Sequence, residues 1–159
     1  MSFLNGQVCY LVSRQAIDGK VAFAKTADYE FFLSLLKKHK ARHRIKILGF
    51  CILPKAFFLV LYMSDTALAI NFLREVCKSY SIYGSVKYPA PADSWFKRHR
   101  LVILETDHDV FDAIKHIEFL PVRFSLTDSP LNYPWSSCSY RVLDRTIGFL
   151  DSDIVSTLI

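Results

Sequence analysis

Glu105, Asp107, His108, Asp109 and Asp112 are the densest group of side chains in the chain that could hold a metal or move a proton. A divalent cation would need several of them to converge on one point with regular geometry. Their position just after an apolar run, behind Thr106, has a cheaper explanation: they cap a helix and face its positive end. Cations form two further groups. Lys37, Lys38, Lys40, Arg42, Arg44 and Lys46 crowd together with His39 and His43, and Lys97, Arg98, His99 and Arg100 follow Trp95. Each alone reads as a solvated face, but two on a chain of formal charge +5 point to a polyanionic partner. Arg14, at a strand end beside a loop, is placed either to hold phosphate or to be an ordinary surface arginine. Cys9, Cys51, Cys77 and Cys138 are far apart with no C-x-x-C pair, as expected of reduced core residues and not of zinc ligands or disulfides.

The elements that must position these groups are built around Ile45 to Met63, I-K-I-L-G-F-C-I-L-P-K-A-F-F-L-V-L-Y-M, the least polar stretch. Two strand-length runs broken at Pro54-Lys55 predict an antiparallel hairpin. Ala56 to Met63 lacks polar alternation, so both its faces must be covered. Val8 to Arg14 reads as a strand. Thr26 is the expected N-cap of a helix to about Ala41, with Tyr29, Phe32, Leu33 and Leu36 inward. Ser64-Asp65 caps a second helix burying Leu68, Ile70, Leu73, Val76, Cys77 and Tyr80. Trp95 to Glu105 reads as a strand, and a third helix buries Val110, Ala113, Ile114 and Ile117, with His116 on the shoulder of that stripe. The order β-α-β-β-α-β-α predicts an α+β, ferredoxin-like domain: a four-stranded antiparallel sheet, helices mainly on one face, and an extra C-terminal helix. At 159 residues and 52% hydrophobic content one folded domain is expected over 1–145, with 146–159 as a tail packed on it or extending from it. No run is long enough to span a membrane, and M-S-F-L-N-G-Q lacks the basic start and apolar core of a signal peptide. The expected location is cytoplasmic.

The segment K-H-I-E-F-L-P-V-R-F-S-L-T-D-S-P-L-N-Y-P-W-S-S-C-S-Y, Lys115 to Tyr140, resembles the REP-associated tyrosine transposase family, whose pattern is R-Y-I-E-x-N-P-V-R-x-G-L followed by Y-P-W-S-S-Y. S-W-F-K-R-H-R is similar to the family's x-W-x-x-R-x-K, and L-G-F-C-I-L-P-K-A-F-F-L-V-L to its x-x-x-Y-V-L-M-P-N-H-V-H-L-L-V. D-Y-E-F-F-L-S-L-L fits its first helix and Y-L-V-S-R its opening strand, so the resemblance runs from about Val8 to Asp153.

The resemblance implies single-strand DNA nicking and joining by an HUH-type enzyme. A His-hydrophobic-His pair holds a divalent metal such as magnesium or manganese, and a helix tyrosine attacks the polarised phosphate. Carried over position by position, the two histidines fall on Ala56 and Phe58, and the tyrosine falls on His116. Lys55 and Leu120 depart from the pattern as well. No metal or other cofactor and no catalytic residue are therefore expected. Tyr62 and Tyr80 are the substitute nucleophiles to weigh. What the resemblance leaves for DNA is Arg14, Lys55, Trp95, Lys97, Arg98, Arg100 and Arg123, on a single-stranded or hairpin partner. The rival readings are a protein-interaction module, acting as a homodimer through an exposed sheet face, and a metal-free enzyme built on His116 and Glu105.

Overall fold

The computed structural model describes residues 6–17, 20–88, 96–142 and 149–151. Strand β1 (Val8–Gln15) leads to helix α1 (Thr26–Arg42), the hairpin β2 (Lys46–Leu53) and β3 (Ala56–Met63), and helix α2 (Thr66–Lys87). Strand β4 (Arg100–Ile103), helix α3 (Asp107–Arg123), a 3-10 turn (Pro130–Asn132) and a short helix α4 (Ser137–Val142) complete the described chain. The sheet is antiparallel in the order β2-β3-β1-β4, the ferredoxin-like arrangement.

The unalternating β3 divides its residues between two cores. Phe57, Leu59, Leu61 and Met63 pack with Phe32, Leu36, Phe72, Val76 and Tyr80 of α1 and α2. Val60, with Cys9, Leu48 and Cys51, packs under Val110, Ile114 and Ile117 of α3 on the opposite face. The second cover demanded by the apolar strand is thus α3. Its approach is close at Gly49, where an added Cβ would lie 3.2 Å from Ile114 Cγ1.

Two polar clamps fix this cover and the helix pair. Asp28, fully buried, accepts hydrogen bonds from the Ala24 and Lys25 backbone N–H groups and from the Tyr83 and Tyr88 hydroxyls, and pairs with Lys87. Burial alone would raise its pKa; the hydrogen bonds led by Tyr88 outweigh it and hold the carboxyl well below the usual range. The cap residue of α1 is consequently Lys25 and not Thr26, because Asp28 reaches back over the first turn. The second clamp is Glu118, buried in α3. It accepts from Ser137 Oγ at 2.5 Å and pairs with Arg141, while Ser137 Oγ accepts from the Phe50 N–H at 3.0 Å.

The Y-P-W-S-S segment lies along the free edge of β2. Tyr133 donates its hydroxyl to the Ile52 carbonyl, the Ile52 N–H bonds the Trp135 carbonyl, and Trp135 stacks on Tyr29 at 4.7 Å between centroids. Phe149 to Asp151 seal the rest of that edge, through the Ile47–Leu150 bridge and a 2.6 Å ion pair between Asp151 and Lys40. The expected boundary near residue 145 lies outside the described residues.

Strand β4 is shorter than the Trp95 to Glu105 reading. Phe96 bridges Ala16 in isolation, and the Lys97 carbonyl is taken by Arg14 Nε at 2.6 Å, which interrupts the ladder before Arg100. In α2 the buried stripe is Ala69, Phe72, Leu73, Val76, Cys77 and Tyr80, with Ile70 partly exposed. All four cysteines are buried and free, and burial pushes the Cys9 thiol up to about 12. Among the described residues no helix is long and apolar enough to cross a membrane.

Candidate nucleic-acid interface

Strand β3 begins at the Pro54-Lys55 turn, beside the end of β1, where Gln15 pairs with Ala56 and Arg14 with Phe57. Ala56 and Phe58 project from the same face of β3, as residues two apart on a strand must. They form the floor of an open groove of about 530 Å³. Lys20, Lys55 and Lys97 stand around it, and Phe124 and Leu126, just past the end of α3, form its apolar wall. Among the described residues no acidic side chain lines it.

The chemistry of this groove is set by what its floor lacks. A methyl group and a phenyl ring offer a cation no lone pair, so the donor set at Ala56 and Phe58 does not fit the divalent metal of the HUH type. Among the described residues, no group of three or more His, Cys, Asp or Glu side chains is gathered so as to hold a metal. In the acidic run at the start of α3 the Asp109 N–H bonds Thr106 Oγ1 and Asp109 Oδ2 accepts from the Thr106 and Glu105 N–H groups, a capping box, while His108 pairs with Asp112 at 3.0 Å.

His116 is exposed, on the solvent side of α3 with Asp112, Lys115 and Phe119, although its helical projection puts it on the shoulder of the buried stripe. Helix α3 lies flat on the sheet along Ala113, Ile117 and Leu120, which leaves the adjacent shoulder uncovered. Glu105 precedes the helix, so at 1.5 Å per residue the two sites of the imagined metal-free enzyme are roughly 15 Å apart. The substitute tyrosines fare no better. Tyr80 is fully buried with its hydroxyl on the Ala22 carbonyl, and burial raises its pKa strongly. Tyr62 lies six residues along β3 from Ala56, roughly 20 Å away at 3.3 Å per residue, and burial raises its pKa too.

The cations expected from the sequence are sorted by the topology. Lys55 and Lys97 reach the groove, and Arg123 is exposed one residue before its Phe124 wall. Arg98 and Arg100 are exposed at the same end of the sheet, where Arg100 pairs with Ser13. Burial, then Arg14 and Arg98, lowers the pKa of His99 among them. Arg14 points to the α2 side of the sheet, its guanidinium carbon 5.7 Å from the Phe96 ring centroid. Trp95 lies outside the described residues. The Lys37 to Lys46 group sits at the other end of the sheet, where β2 begins. Lys20, Phe124 and Leu126 belong to none of the basic or acidic groups visible in the sequence. The family's R-x-G-L pattern marks the turn that delivers Phe124 and Leu126, and Lys20 follows the Asp18-Gly19 loop without a further signal.

No family model and no curated protein matches the chain. Among solved structures, it is similar to one described as the REP-associated tyrosine transposase bound to a REP hairpin. The TM-score is 0.71 over 93% of this chain and 84% of that chain, at 15% sequence identity. At that identity the likeness is one of fold: this α+β chain is built as that transposase is built.

Proposed function

We propose that the chain is a nucleic-acid-binding domain on a transposase fold, taking single-stranded or hairpin DNA and performing no strand cleavage. The observation that carries this reading is the groove over Ala56 and Phe58, an apolar floor with Lys55 and Lys97 on its rim and, among the described residues, no carboxylate in its lining. A metal-held phosphate has no ligands there. A base can stack on exposed aromatic carbon while the lysines neutralise flanking phosphates, which is how single strands are held without cleavage. The fold likeness to a transposase bound to a DNA hairpin supports the choice of partner.

The test is a titration of a labelled hairpin oligonucleotide, with magnesium, at two salt concentrations. Binding that weakens with salt, is reduced in a Lys55→Gln, Lys97→Gln variant and yields neither cleaved strand nor covalent adduct is the expected result. Cleavage that is lost in His116→Ala would overturn the inactive assignment. Manganese binding with micromolar affinity, abolished by a bulkier residue at Ala56, would do the same for the metal-free one.

The interaction-module reading has one observation in its favour. Strand β4 is an edge of the sheet, and its Val102 and Ile103 are each 51% exposed. Elution as a stable dimer, with no affinity for hairpin, single-stranded or duplex DNA at low salt, would select it.

A further inference from the structure

On the α2 side of the sheet a second cleft, of about 360 Å³, brings Arg14 of β1 together with Arg74 and Lys78 of α2, and the hydroxyl-bearing Ser81 and Ser85 continue the same helical stripe. Among the described residues no carboxylate lines it. Like charges four residues apart on a helix repel. Among the described residues Arg14, Arg74 and Lys78 take part in no ion pair. The carboxylate three residues before Lys78, Glu75, is close enough to His39 to raise its pKa. Arg14 is held in place before any ligand arrives: its Nε donates to the Lys97 carbonyl at 2.6 Å and its plane lies near the Phe96 ring. A guanidinium fixed in this way loses little side-chain freedom when it binds an oxyanion.

The cleft adjoins the first groove. Arg14 and Gln15 are consecutive on β1 and project to opposite faces; Gln15 lines the groove over Ala56, and Lys97 serves both sites, side chain in one and carbonyl on Arg14 in the other. We infer that the Arg14–Arg74–Lys78 cleft is a phosphate-binding subsite, occupied by backbone phosphates of the same strand that the Ala56/Phe58 groove engages. The identity of the strand rests on the function proposed above; the oxyanion chemistry does not.

Two arms, both on the full chain, separate the claims. In the first, a labelled single-stranded oligonucleotide is titrated over a salt series against wild type and against Arg74→Gln, Lys78→Gln. The variant should bind all sequences more weakly, with the log–log salt slope reduced by about 1.4 units, at about 0.7 per phosphate contact on a single strand. In the second, inorganic pyrophosphate is titrated into wild type and followed by amide chemical shifts, which should move at Arg14 and along Arg74 to Ser85. This arm needs no variant and decides the matter if the substitutions disturb folding. DNA binding with an unchanged slope in the variant and no shifts at α2 overturns the subsite and leaves the proposed function standing. Shifts at α2 in a protein that binds no DNA keep the oxyanion site, assign it to free phosphate compounds and remove the nucleic-acid reading.

Discussion

The pair His39 and His43 shows how a single residue can carry a pH response that no functional motif announces. His39 is 3% exposed, its two ring nitrogens have no hydrogen-bond partner among the described residues, and the ring of His43 is 5.9 Å away. Burial first, then Lys38, His43 and Arg42, lowers its pKa from 6.5; Glu75 opposes them. The unfolded chain therefore binds the proton more tightly than the folded one. Above pH 6.5 the penalty is absent, and as pH falls from there toward the lowered folded value stability is lost. His39→Phe should flatten this part of the stability curve, measured as urea midpoints between pH 7.5 and 5; an unchanged slope would place the acid sensitivity elsewhere. A second residue is strained by its backbone. Ser125 has φ 59° just past α3, where its N–H bonds the Val122 carbonyl and that of Leu126 the Pro121 carbonyl, a left-handed helix stop suited to glycine. The resembled pattern has glycine at this place. Ser125→Gly should raise stability by about 0.5–1 kcal/mol, the relief of strain exceeding the added chain entropy. Thermal unfolding reads it.

Among the elements, the hairpin, the two helices of the first core and the four-strand order were legible because their apolar periodicity is strong. The stripe of α3, Val110, Ala113, Ile114 and Ile117, was legible for the same reason. What periodicity could not give was where α3 lies: the second face of β3 needed a cover, but only packing at Gly49 identifies it. The same gap hid the exposure of His116. Strand β4 is shorter than its sequence suggests because Phe96 and Leu101 look strand-like, while Arg14, a residue distant in sequence, takes the Lys97 carbonyl between them. The Glu118 and Y-P-W-S-S positions were read from a family pattern, and the structure gives them a mechanical part: they tie the segment after α3 to the edge of β2. Ser137 is the centre of that tie. Ser137→Ala leaves the buried Phe50 N–H and one Glu118 oxygen without the hydroxyl between them, and should cost about 1–3 kcal/mol or more, since one of the groups is charged. Hydrogen exchange should rise along β2 before it rises along β1; uniform loss across the sheet would mean that the tie is not local.

For the whole molecule, the question is which of its charges act together. The sequence suggested two basic groups, and the fold separates them by the length of an eight-residue strand, roughly 25 Å at 3.3 Å per residue. That exceeds the screening length of about 8 Å at physiological salt, so each end of the sheet acts alone on a partner. The group at the start of β2 is also partly engaged, because Lys40 is committed to Asp151 and to the Phe149 carbonyl. The other end gathers Arg98 and Arg100 with Lys55, Lys97 and the cleft of Arg14 around the apolar groove. If a single strand binds there, replacing Arg98 and Arg100 by glutamine should weaken binding to every sequence and lower the salt slope by about 1.4 units, at about 0.7 for each phosphate contact. Replacing Lys37, Lys38 and Arg42 removes one more charge from the same net total and should leave the slope nearly unchanged. Phe58→Ala should behave differently from both, costing about 1–3 kcal/mol of affinity at every salt concentration if a base stacks in the groove. Equal effects from the two arginine and lysine sets would mean that the protein attracts DNA through net charge alone and that the groove has no special part in holding it.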